Sequence, residues 1–317
     1  MYLLNNSFLV CPICHSDLQQ LDTSLFCTSS HYFPIARRIP RFVNSGYAGS
    51  FGLQWNKFRK TQLDSYTGTS ISKNRLINSL TPDLFKRIPM ACVLEVGCGA
   101  GRFTEVLLKQ NARIVSIDLS TAVDANALNF PVTDNHMVIQ ANGSNLPFKE
   151  GEFDFVICLG VLQHTPSPET TVKDLFRVVK PGGWLIIDHY GKNIKWYLRS
   201  APLFRFFLKQ FNPNTSFKIV SAIYHGSLRF FQFSNNRIHR KICNVIFPIV
   251  FFDKEFPDLP DWAKKEWGLL DTYDSLTDRY KHRRSVNQIK TCLQELDLED
   301  IQVENQNGTI VARGRKK

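Results

Sequence analysis

Three cysteines and one histidine near the amino terminus have the types and the spacing of metal ligands. Cys11 and Cys14 are separated by two residues and Cys27 and His31 by three, with twelve residues between the pairs. Three thiolates and one imidazole can close a tetrahedral Zn²⁺ site. Unliganded thiols are the alternative, but two paired spacings in so short a segment favour a metal. His15 adjoins Cys14, which is poor geometry for a substitute ligand.

The segment that carries these ligands, residues 1–45, is too short for a large apolar core of its own. Leu18, Leu21 and Leu25 lie between the two ligand pairs and are expected to form a small apolar patch that depends on the metal. We therefore predict a small N-terminal zinc-binding segment with a closed site. The default role of a closed zinc site is structural.

A glycine-rich turn follows a short apolar run in the middle of the chain. The run Cys92–Val96 leads into Gly97, Gly99 and Gly101, and a helical pattern follows. Glycines let the backbone turn tightly and approach a ligand closely, and the start of the next helix favours negative charge. Because Arg102 stands where a dinucleotide fingerprint needs its third glycine, the turn fits a smaller nucleoside ligand better.

An acidic residue ends the next apolar run, residues 113–118. A carboxylate at Asp118 can accept hydrogen bonds from both hydroxyls of a ribose. Strand, glycine turn, helix, strand and acid follow one another here in the order that nucleoside-binding α/β folds use. Together they are a much more specific signal than any of them alone.

Apolar runs alternate with helical patterns over residues 91–190, which predicts a doubly wound α/β sheet. Val172 and Leu175 mark the buried face of the helix between the last two runs. A final helix and two runs that flank Asn307 and Gly308, within residues 281–317, predict a hairpin that completes the sheet with an antiparallel strand. The expected core strands are 92–96, 113–118, 137–141, 153–159 and 184–189.

Five stretches of this region resemble the successive motifs of class I S-adenosylmethionine-dependent methyltransferases, in particular those of type 11. They are residues 93–103, 115–118, 140–148, 153–165 and 177–183. The resemblance covers roughly the middle third of the chain closely and extends more loosely to both sides. It implies a Rossmann-like, mostly parallel sheet and S-adenosyl-L-methionine as the cofactor. The alternatives are a fold that binds NAD and one that has lost its ligand.

The resemblance also implies which residues bind the cofactor. Gly97, Gly99 and Gly101 would line its methionine and sugar, and Asp118 would hold the ribose. Asn142 would lie beside the adenine amino group, where many members carry Asp; an amide oxygen can still accept from that amine. The full set expected at the cofactor is Glu95, Gly97, Cys98, Gly99, Gly101, Asp118, Leu119, Asn142, Gly143 and Leu159.

The loop after the fourth strand is expected at the carboxyl edge of the sheet, where such folds bind ligands. His164 in this loop is the candidate catalytic base. A histidine at this point is widespread in the family across unrelated acceptors, which favours the alternative of a hydrogen-bonding residue that shapes the pocket. Asp188, His189 and Tyr190 end the fifth strand and are expected either to face the same cleft or to cap the sheet.

Residues 46–90 form an approach segment that is rich in aromatic and polar residues. Similar segments occur in uncharacterised bacterial methyltransferases, where they lie over the cofactor. The resemblance implies that Arg75 or Tyr66 helps to enclose the methionine end. The alternative is that this segment, including a helix over residues 72–80, only packs on the sheet.

Residues 191–280 are expected to form a basic, aromatic helical cap. No Asp or Glu occurs from 191 to 252, the part that we call the basic insert, and its basic residues account for nearly the whole net charge of +11. Their spacing with the aromatic residues predicts two or three helices. Besides a cap with solvated charges, an anionic acceptor, RNA and an anionic membrane surface are the partners considered. The basic residues are Lys192, Lys195, Arg199, Arg205, Lys209, Lys218, Arg229, Arg237, Arg240 and Lys241.

A stretch after the insert is similar to one in bacterial methyltransferases associated with surface-glycan pathways. It contains Asp271, Tyr273, Asp274, Asp278 and Tyr280. The aspartates and tyrosines are candidates for lining an acceptor pocket. The alternative is that they anchor the cap to the sheet.

These observations together predict a methyltransferase that acts on a small-molecule, sugar or lipid-linked acceptor. The zinc segment, residues 1–45, resembles the zinc-ribbon heads of some methyltransferases. An RNA methyltransferase that holds RNA with this segment and the basic cap is the first alternative, because the segment also resembles the heads of ribosomal-RNA guanine methyltransferases. A non-catalytic binding module is the second. Neither a signal peptide nor a bilayer-spanning run is evident, so we expect a cytoplasmic protein, with peripheral contact at the inner membrane surface as an option.

Overall fold

The computed structural model describes residues 8–43, 46–193, 199–233, 236–252 and 256–317; Lys195 of the basic insert lies outside these ranges. The strands are β1 (Leu18–Leu21), β2 (Ser24–Cys27), β3 (Tyr32–Ala36), β4 (Ile39–Pro40), β5 (Cys92–Val96), β6 (Arg113–Asp118), β7 (His136–Gln140), β8 (Phe153–Cys158), β9 (Val179–Tyr190), β10 (Leu298–Gln306) and β11 (Thr309–Lys316). The helices are α1 (Gly49–Lys57), α2 (Asp64–Thr67), α3 (Ile71–Leu80), α4 (Pro82–Phe85), α5 (Arg102–Lys109), α6 (Ala122–Asn129), α7 (Pro168–Arg177), α8 (Ala201–Leu208), α9 (Pro213–Gln232), α10 (Arg237–Ile246), α11 (Asp261–Thr277) and α12 (Val286–Gln294).

The central sheet has seven strands in the order β10-β11-β9-β8-β5-β6-β7. β5 pairs in parallel with β6 and β8, β6 pairs with β7, and β8 pairs with β9. β11 runs antiparallel to both β9 and β10. The prediction of a mostly parallel sheet that ends in an antiparallel hairpin is therefore confirmed.

β9 begins earlier than the sequence pattern predicts, at Val179 instead of residue 184. Val179 already pairs with Phe153, ahead of an irregularity in the pairing that contains Pro181. Proline has no backbone N–H to donate, so the ladder is interrupted there and resumes beyond the glycines that follow. The proline and glycines therefore form a bulge within β9.

Both faces of the parallel strands are covered, as alternation of their side chains requires. Ile114 of β6 packs in an apolar cluster with residues of α3, α4 and α5. Val115, the next residue, packs in the cluster on the other face with residues of α7 and α12. The sheet is therefore wound on both sides, and its carboxyl edge lies between the two helical layers.

The N-terminal segment folds as a small antiparallel sheet, β1-β2-β3-β4, that packs directly on the central sheet. Leu25 is buried in the same apolar cluster as residues of β5 and β6. Phe8 stacks on Phe148 with 5.7 Å between ring centroids, and Arg41 pairs with Asp124 at 2.7 Å. The segment therefore shares the main core.

The apolar patch expected between the ligand pairs forms only in part. Leu25 is fully buried and Leu18 is half-buried, but Leu21 is 64% exposed. Leu21 ends β1 and pairs with Ser24 at the tip of the hairpin, where it cannot reach the core. The expectation for Leu21 is therefore wrong.

The basic insert folds as helices α8, α9 and α10, and α11 packs with them. Tyr224 of α9 and Leu270 of α11 are buried in one apolar cluster, and Trp55 of α1 packs against it. The insert is therefore helical and packs against the approach segment, and we call it and α11 the cap. Within the described ranges, every helix is too short or too polar to cross a bilayer.

We expect replacement of Leu25 by Ala to lower the free energy of unfolding by about 2–5 kcal/mol, because it opens a cavity in a core shared by both sheets. Denaturant titration followed by tryptophan fluorescence measures the loss. Leu21→Ala is the matched control in the same hairpin and should change stability by no more than about 0.5 kcal/mol. Equal effects of the two substitutions would contradict the shared core.

Candidate active site

A cleft with a volume of about 980 Å³ lies at the carboxyl ends of β5, β6, β8 and β9. Residues of α1, α3 and α11 line its other side. Open α/β sheets bind their ligands at this edge. The volume is at the upper end of the roughly 300–1,000 Å³ of small-molecule sites, so two small molecules can fit side by side.

The glycine turn after β5 borders the cleft. Gly97 and Gly99 line it with φ angles of 73° and 51°. A Cβ atom on Gly97 would lie 2.1 Å from Cγ2 of Val161, and one on Gly99 would lie 3.1 Å from the ring of Trp55. Any larger residue at either position would therefore clash or strain the backbone. Cys98, another residue predicted to bind the cofactor, also lines the cleft.

Glu95 and Gly101, both expected at the cofactor, are not among the residues that line the cleft. Gly101 has a φ of 100°, and a Cβ atom there would lie 2.6 Å from the ring of Phe130, so glycine is needed for packing. Oε2 of Glu95 accepts hydrogen bonds from Thr104 at 2.5 Å and Ser116 at 3.0 Å. Because side chains alternate along a strand, that of Glu95 points away from the cleft and towards α5. Burial there raises the pKa of its carboxyl to about 7.

Asp118, predicted to hold the ribose, ends β6 and lines the cleft. Ser120 donates to Oδ1 through its N–H at 2.8 Å and its hydroxyl at 2.7 Å, and the N–H of Gly99 donates to Oδ2 at 3.1 Å. These bonds fix the carboxylate against the glycine turn. A ligand hydroxyl can use the remaining site on Oδ2 or replace the hydroxyl of Ser120, which is free to rotate.

The other residues predicted to bind the cofactor surround the turn. Leu119, Asn142, Gly143 and Leu159 all line the cleft. Oδ1 of Asn142 accepts the N–H of Ser144 at 3.0 Å, which holds the side chain in a local turn. The amide oxygen therefore has one donor already and one lone pair left for a ligand.

Arg75 enters the cleft from α3, whereas Tyr66 lies outside it. The guanidinium of Arg75 pairs with one oxygen of Asp188 at 2.8 Å, and the other oxygen accepts the N–H of Gly160 at 2.5 Å. Tyr66 is 42% exposed and packs against Trp262. Of the two residues proposed to enclose a ligand, only Arg75 is in position to do so.

The three polar residues at the end of β9 do not all face the cleft. Asp188 and Tyr190 line the cleft, but His189 does not, and it is buried. Successive strand residues point to opposite faces, so Asp188 and Tyr190 share a face that His189 cannot share. The expectation that His189 faces the cleft is therefore wrong.

Arg102 lines the cleft although it is not among the residues predicted from the sequence. Its Nε donates to the hydroxyl of Ser72 at 3.0 Å, and its guanidinium lies 5.1 Å from the centre of the Trp267 ring. Burial and the nearby charge of Arg75 lower its pKa to about 9. Its place directly after the glycine turn, in the first turn of α5, is the signal that could have identified it.

His164 is buried in the wall of the cleft, where its ring contacts those of Phe51 and Tyr190. Its Nδ1 lies 3.2 Å from the carbonyl oxygen of Tyr280 and 3.0 Å from a carboxylate oxygen of Asp278. Because both oxygens accept, Nδ1 carries the proton of the neutral ring and Nε2 keeps the lone pair. Burial lowers the pKa of the imidazole to about 4, so the ring is neutral at neutral pH.

The carboxylate of Asp278 connects the cleft to the cap. It is fully buried and pairs with Arg205 of α8 and, at 3.1 Å, with Lys281. Burial lowers the pKa of Lys281 to about 7, and nothing in the sequence pattern predicted a role for this residue. His164, Asp274 and Asp278 are close enough to ligate a metal. Arg205 and Lys281 already neutralise Asp278, however, and compete with any such ion.

The aspartates and tyrosines that follow the insert were predicted either to line an acceptor pocket or to anchor the cap, and the structure has residues in both positions. Asp271 and Asp274 line the cleft, and burial followed by the charge of Asp274 raises the pKa of Asp271 to about 7. Tyr273 is fully buried and donates its hydroxyl to the carbonyl oxygen of Pro213 at 3.0 Å. Two aspartates therefore face the cleft, and Tyr273 anchors the cap.

The four predicted metal ligands come together at the base of the small sheet. Sγ of Cys14 lies 3.6 Å from Sγ of Cys27, and Nδ1 of His31 lies 3.4 Å from Sγ of Cys11 and 3.3 Å from Sγ of Cys27. All four ligand atoms lie within 4.8 Å of one another. Tetrahedral zinc bonds of about 2.3 Å to sulfur and about 2.0–2.1 Å to nitrogen imply edges of about 3.6–3.8 Å. The distances between the donors therefore fit a single zinc ion.

Residues 94–187 match the protein-family model described as a methyltransferase domain. A ubiquinone biosynthesis O-methyltransferase of Hydrogenovibrio crunogenus is 32% identical over 118 residues, which cover 36% of this chain and 48% of that protein. The enzyme of the same name in Paraburkholderia xenovorans is 36% identical over 111 residues, 33% of this chain and 47% of that protein. The chain thus spans about half the length of the curated relatives it matches.

Among solved structures, 1,6-didemethyltoxoflavin-N1-methyltransferase of Burkholderia thailandensis, with bound 1,6-didemethyltoxoflavin and S-adenosylhomocysteine, is similar at 15% identity. The similarity covers 95% of this chain and 100% of that chain, with a TM-score of 0.45. The matched segment 94–187 contains the glycine turn, Asp118 and His164. The family match therefore covers most of the predicted cofactor site and leaves out the Cys/His cluster and the cap.

We expect the imidazole of His164 to titrate near pH 4, well below the value of about 6.5 for an unperturbed histidine, because burial disfavours the charged ring. Nuclear magnetic resonance of the ring signals during a pH titration measures this value. The spectrum of a His164→Gln variant assigns the resonance. A midpoint at or above that of unperturbed histidine would show that the ring is solvated or stabilised as a cation.

Proposed function

We propose that the protein is an S-adenosyl-L-methionine-dependent methyltransferase whose acceptor is a small molecule, with sugars and lipid-linked compounds as the candidate classes. The proposal depends on one observation. The glycine turn and Asp118 are hydrogen-bonded side by side on the cleft, inside the segment that matches the methyltransferase domain model. The two O-methyltransferase relatives, which are named for ubiquinone biosynthesis, support a small-molecule acceptor.

The donor set of the cleft fits this cofactor. The carboxylate of Asp118 suits the ribose hydroxyls, and the side-chain amide of Asn142 suits the adenine amine. Gly97 brings the backbone to the edge of the cleft, where a Cβ atom has no room. Arg75 and Arg102 are cations on the same cleft, and an arginine pairs well with a carboxylate such as that of the methionine moiety.

When bound, the cofactor supplies a methyl group on a sulfonium that is already activated for in-line transfer. The residues of the chain then act chiefly by positioning. Asp188 holds Arg75 and the N–H of Gly160 together, which fixes α3 relative to the loop after β8. Trp55 lies against the glycine turn and excludes water from that side of the cleft.

His164 is proposed to shape the cleft and, where an acceptor must lose its proton, to accept that proton at Nε2. Its hydrogen bond through Nδ1 fixes the ring in the tautomer that this role needs. A pKa of about 4 makes the ring a weak base. The low pKa of the ring therefore favours the shaping role.

The charge on the cleft is mixed. Asp271, Asp274 and Lys281 all line it, and of the described basic residues of the insert only Arg199 reaches it. We therefore do not extend the proposal to an anionic acceptor, although the net charge of the chain suggested one. The names of the relatives give the RNA alternative no support.

We also propose that Cys11, Cys14, Cys27 and His31 hold a structural zinc ion. The donor set and the distances between the donors support it. The site has no ligand position left for a substrate, and Leu25 next to it belongs to the main core. Zinc would therefore stabilise the N-terminal sheet and the edge of the central sheet on which it packs.

We expect Asp118→Ala to lower the affinity for S-adenosyl-L-methionine about tenfold to hundredfold, because hydrogen bonds to a charged group contribute about 1.5–3 kcal/mol. Isothermal titration calorimetry measures the change. Asp83→Ala is the matched control, since Asp83 is exposed on α4 outside the cleft, and it should bind like the unmodified protein. No binding by the unmodified protein would refute the cofactor, and unchanged affinity in Asp118→Ala would refute the ribose contact.

The acceptor class is identified by methyl transfer from labelled cofactor to separated glycan, lipid and RNA fractions. Label in a glycan or lipid fraction, lost in Asp118→Ala, is the expected result. Transfer of label to RNA would contradict a small-molecule acceptor and identify RNA as the acceptor instead. Binding of the cofactor without transfer to any fraction would favour a non-catalytic module.

We expect the purified protein to contain stoichiometric zinc and Cys27→Ser to lose it, because three remaining ligands hold zinc much more weakly. Mass spectrometry of the metal content measures the ratio. Loss of zinc should also lower the thermal unfolding midpoint, since β2 packs on the main core. Cys292→Ser, a half-buried thiol on α12, is the control that should keep the metal. A zinc-free protein of unchanged stability would show that the thiols are unliganded.

A further inference from the structure

Helix α8 has an apolar exposed side, although its buried side, with Arg205, Ala201 and Leu208, already packs on the core. Arg205 is only 6% exposed, because its guanidinium pairs with Asp278 inside the cap. Leu203, Phe206 and Phe207, on the other side, are 62%, 65% and 56% exposed. An amphipathic helix of a globular protein normally turns its apolar side to the core. This orientation therefore leaves two phenyl rings and a leucine in need of a covering partner.

Helix α10 is oriented in the same way. Ile238, Ile242 and Val245 recur at spacings of four and three residues, which places them on one face of the helix. They are 68%, 52% and 48% exposed. Cys243, on the opposite face, is buried against α9. Two neighbouring helices of the cap thus present apolar faces outward.

The two helices meet at their ends. The N–H of Ser200, at the start of α8, donates to the carbonyl oxygen of Val245, at the end of α10, at 3.0 Å. Leu203 lies one helical turn from Ser200, so the exposed apolar residues of the two helices adjoin at this junction. We call these residues the cap surface: Leu203, Phe206, Phe207, Ile238, Ile242 and Val245.

Exposed cations border the cap surface. Arg237 and Lys241 lie on α10, Lys209 follows α8 and Arg199 precedes it, and all four are exposed. From residue 191 to residue 252 the sequence has no Asp or Glu that could neutralise them locally. The partner that covers this surface therefore has to offer apolar volume and negative charge together.

We propose that the cap surface docks on an anionic phospholipid bilayer, with α8 and α10 in the interface. The phenyl and aliphatic side chains enter the boundary of headgroups and acyl chains, and the cations contact lipid phosphates. Helices with one apolar side and neighbouring Lys and Arg bind membranes in this way. Every described helix is too short or too polar to cross the bilayer, so the contact is peripheral.

A lipid surface explains the cap surface better than the other partners do. Nucleic acid could stack on Phe206 and Phe207, but it offers no apolar phase to Ile238, Ile242 and Val245. A second copy of this chain would bring two sets of cations together across a symmetric contact, without acidic residues of the insert between them. Of these three partners, the bilayer is the one that satisfies both the aliphatic face and the charge.

The position of the cleft extends this inference to the acceptor, a step that depends on the proposed function. Arg199 lines the cleft and lies directly before Ser200 at the start of α8. The edge of the cleft and the cap surface are therefore contiguous. Among the proposed acceptor classes, this arrangement favours a lipid-linked compound reached from the bilayer.

Flotation of the full chain with vesicles tests the docking. We expect binding to vesicles of phosphatidylcholine that contain phosphatidylglycerol, and weak binding to phosphatidylcholine alone or at high salt. Combined replacement of Phe206 and Phe207 by Ser should lower the partition coefficient about tenfold or more, because two rings no longer enter the interface. Combined replacement of Arg237 and Lys241 by Glu should weaken binding to the anionic vesicles alone.

Met90→Ser is the matched apolar control, because Met90 is 69% exposed just before β5, on the edge of the sheet opposite the cleft. It should float like the unmodified protein, and all variants should keep the thermal unfolding midpoint. The proposal is overturned if the unmodified protein does not float. It is equally overturned if sedimentation shows a dimer that the serine substitutions abolish, or if labelled RNA binds in preference to vesicles. Flotation is independent of cofactor binding, so a failed methyltransferase assignment leaves the docking result intact.

Discussion

The buried ionic cluster at Asp278 is the contact on which the arrangement of cleft and cap depends. Its carboxylate receives Arg205 from α8, Lys281 from the segment after α11, and His164 from the cleft wall. Removing one partner of a buried ion pair leaves an uncompensated charge, which typically costs about 3–5 kcal/mol. The cluster therefore fixes three separate parts of the chain relative to one another. It also accounts for the orientation of α8, because a helix that turns Arg205 inward exposes the residues on its other side.

A second constraint lies under the glycine turn. Glu95 accepts hydrogen bonds from Thr104 and Ser116, and Asn126 donates to Thr104, so one buried polar network joins β5, β6, α5 and α6. Hydrogen bonds between buried groups rigidify the elements that carry them. The turn and Asp118 are thus held in place without any ligand. A glutamate that seemed from the sequence to belong to the cofactor instead supports the backbone that borders the cleft.

The sequence sufficed for features with a local signal. Periodicity, turn residues and residue spacing predict the strands from β5 to β9, the C-terminal hairpin and the place of Asp118 at the end of β6. They also predict that the side chains of Cys11, Cys14, Cys27 and His31 come together. The predictions that were wrong concern the direction in which a side chain points in the packed structure. Glu95 and Gly101 lie in the predicted motif but face α5 and Phe130, and His189 faces away from the cleft by strand alternation. Arg102 and Lys281 reach the cleft through tertiary contacts that no short pattern encodes.

Net charge shows most clearly why placement matters more than composition. The excess of +11 arises almost wholly within the insert, and from the sequence it suggested an anionic substrate as readily as an anionic surface. In the structure the cleft holds aspartates as well as cations, and of the described basic residues of the insert only Arg199 reaches it. The other exposed cations lie on the outside of the cap, next to apolar side chains that the core does not cover. If the cap surface docks as proposed, the excess charge serves binding at that surface and not recognition in the cleft, because an electrostatic attraction acts through the surface that carries it.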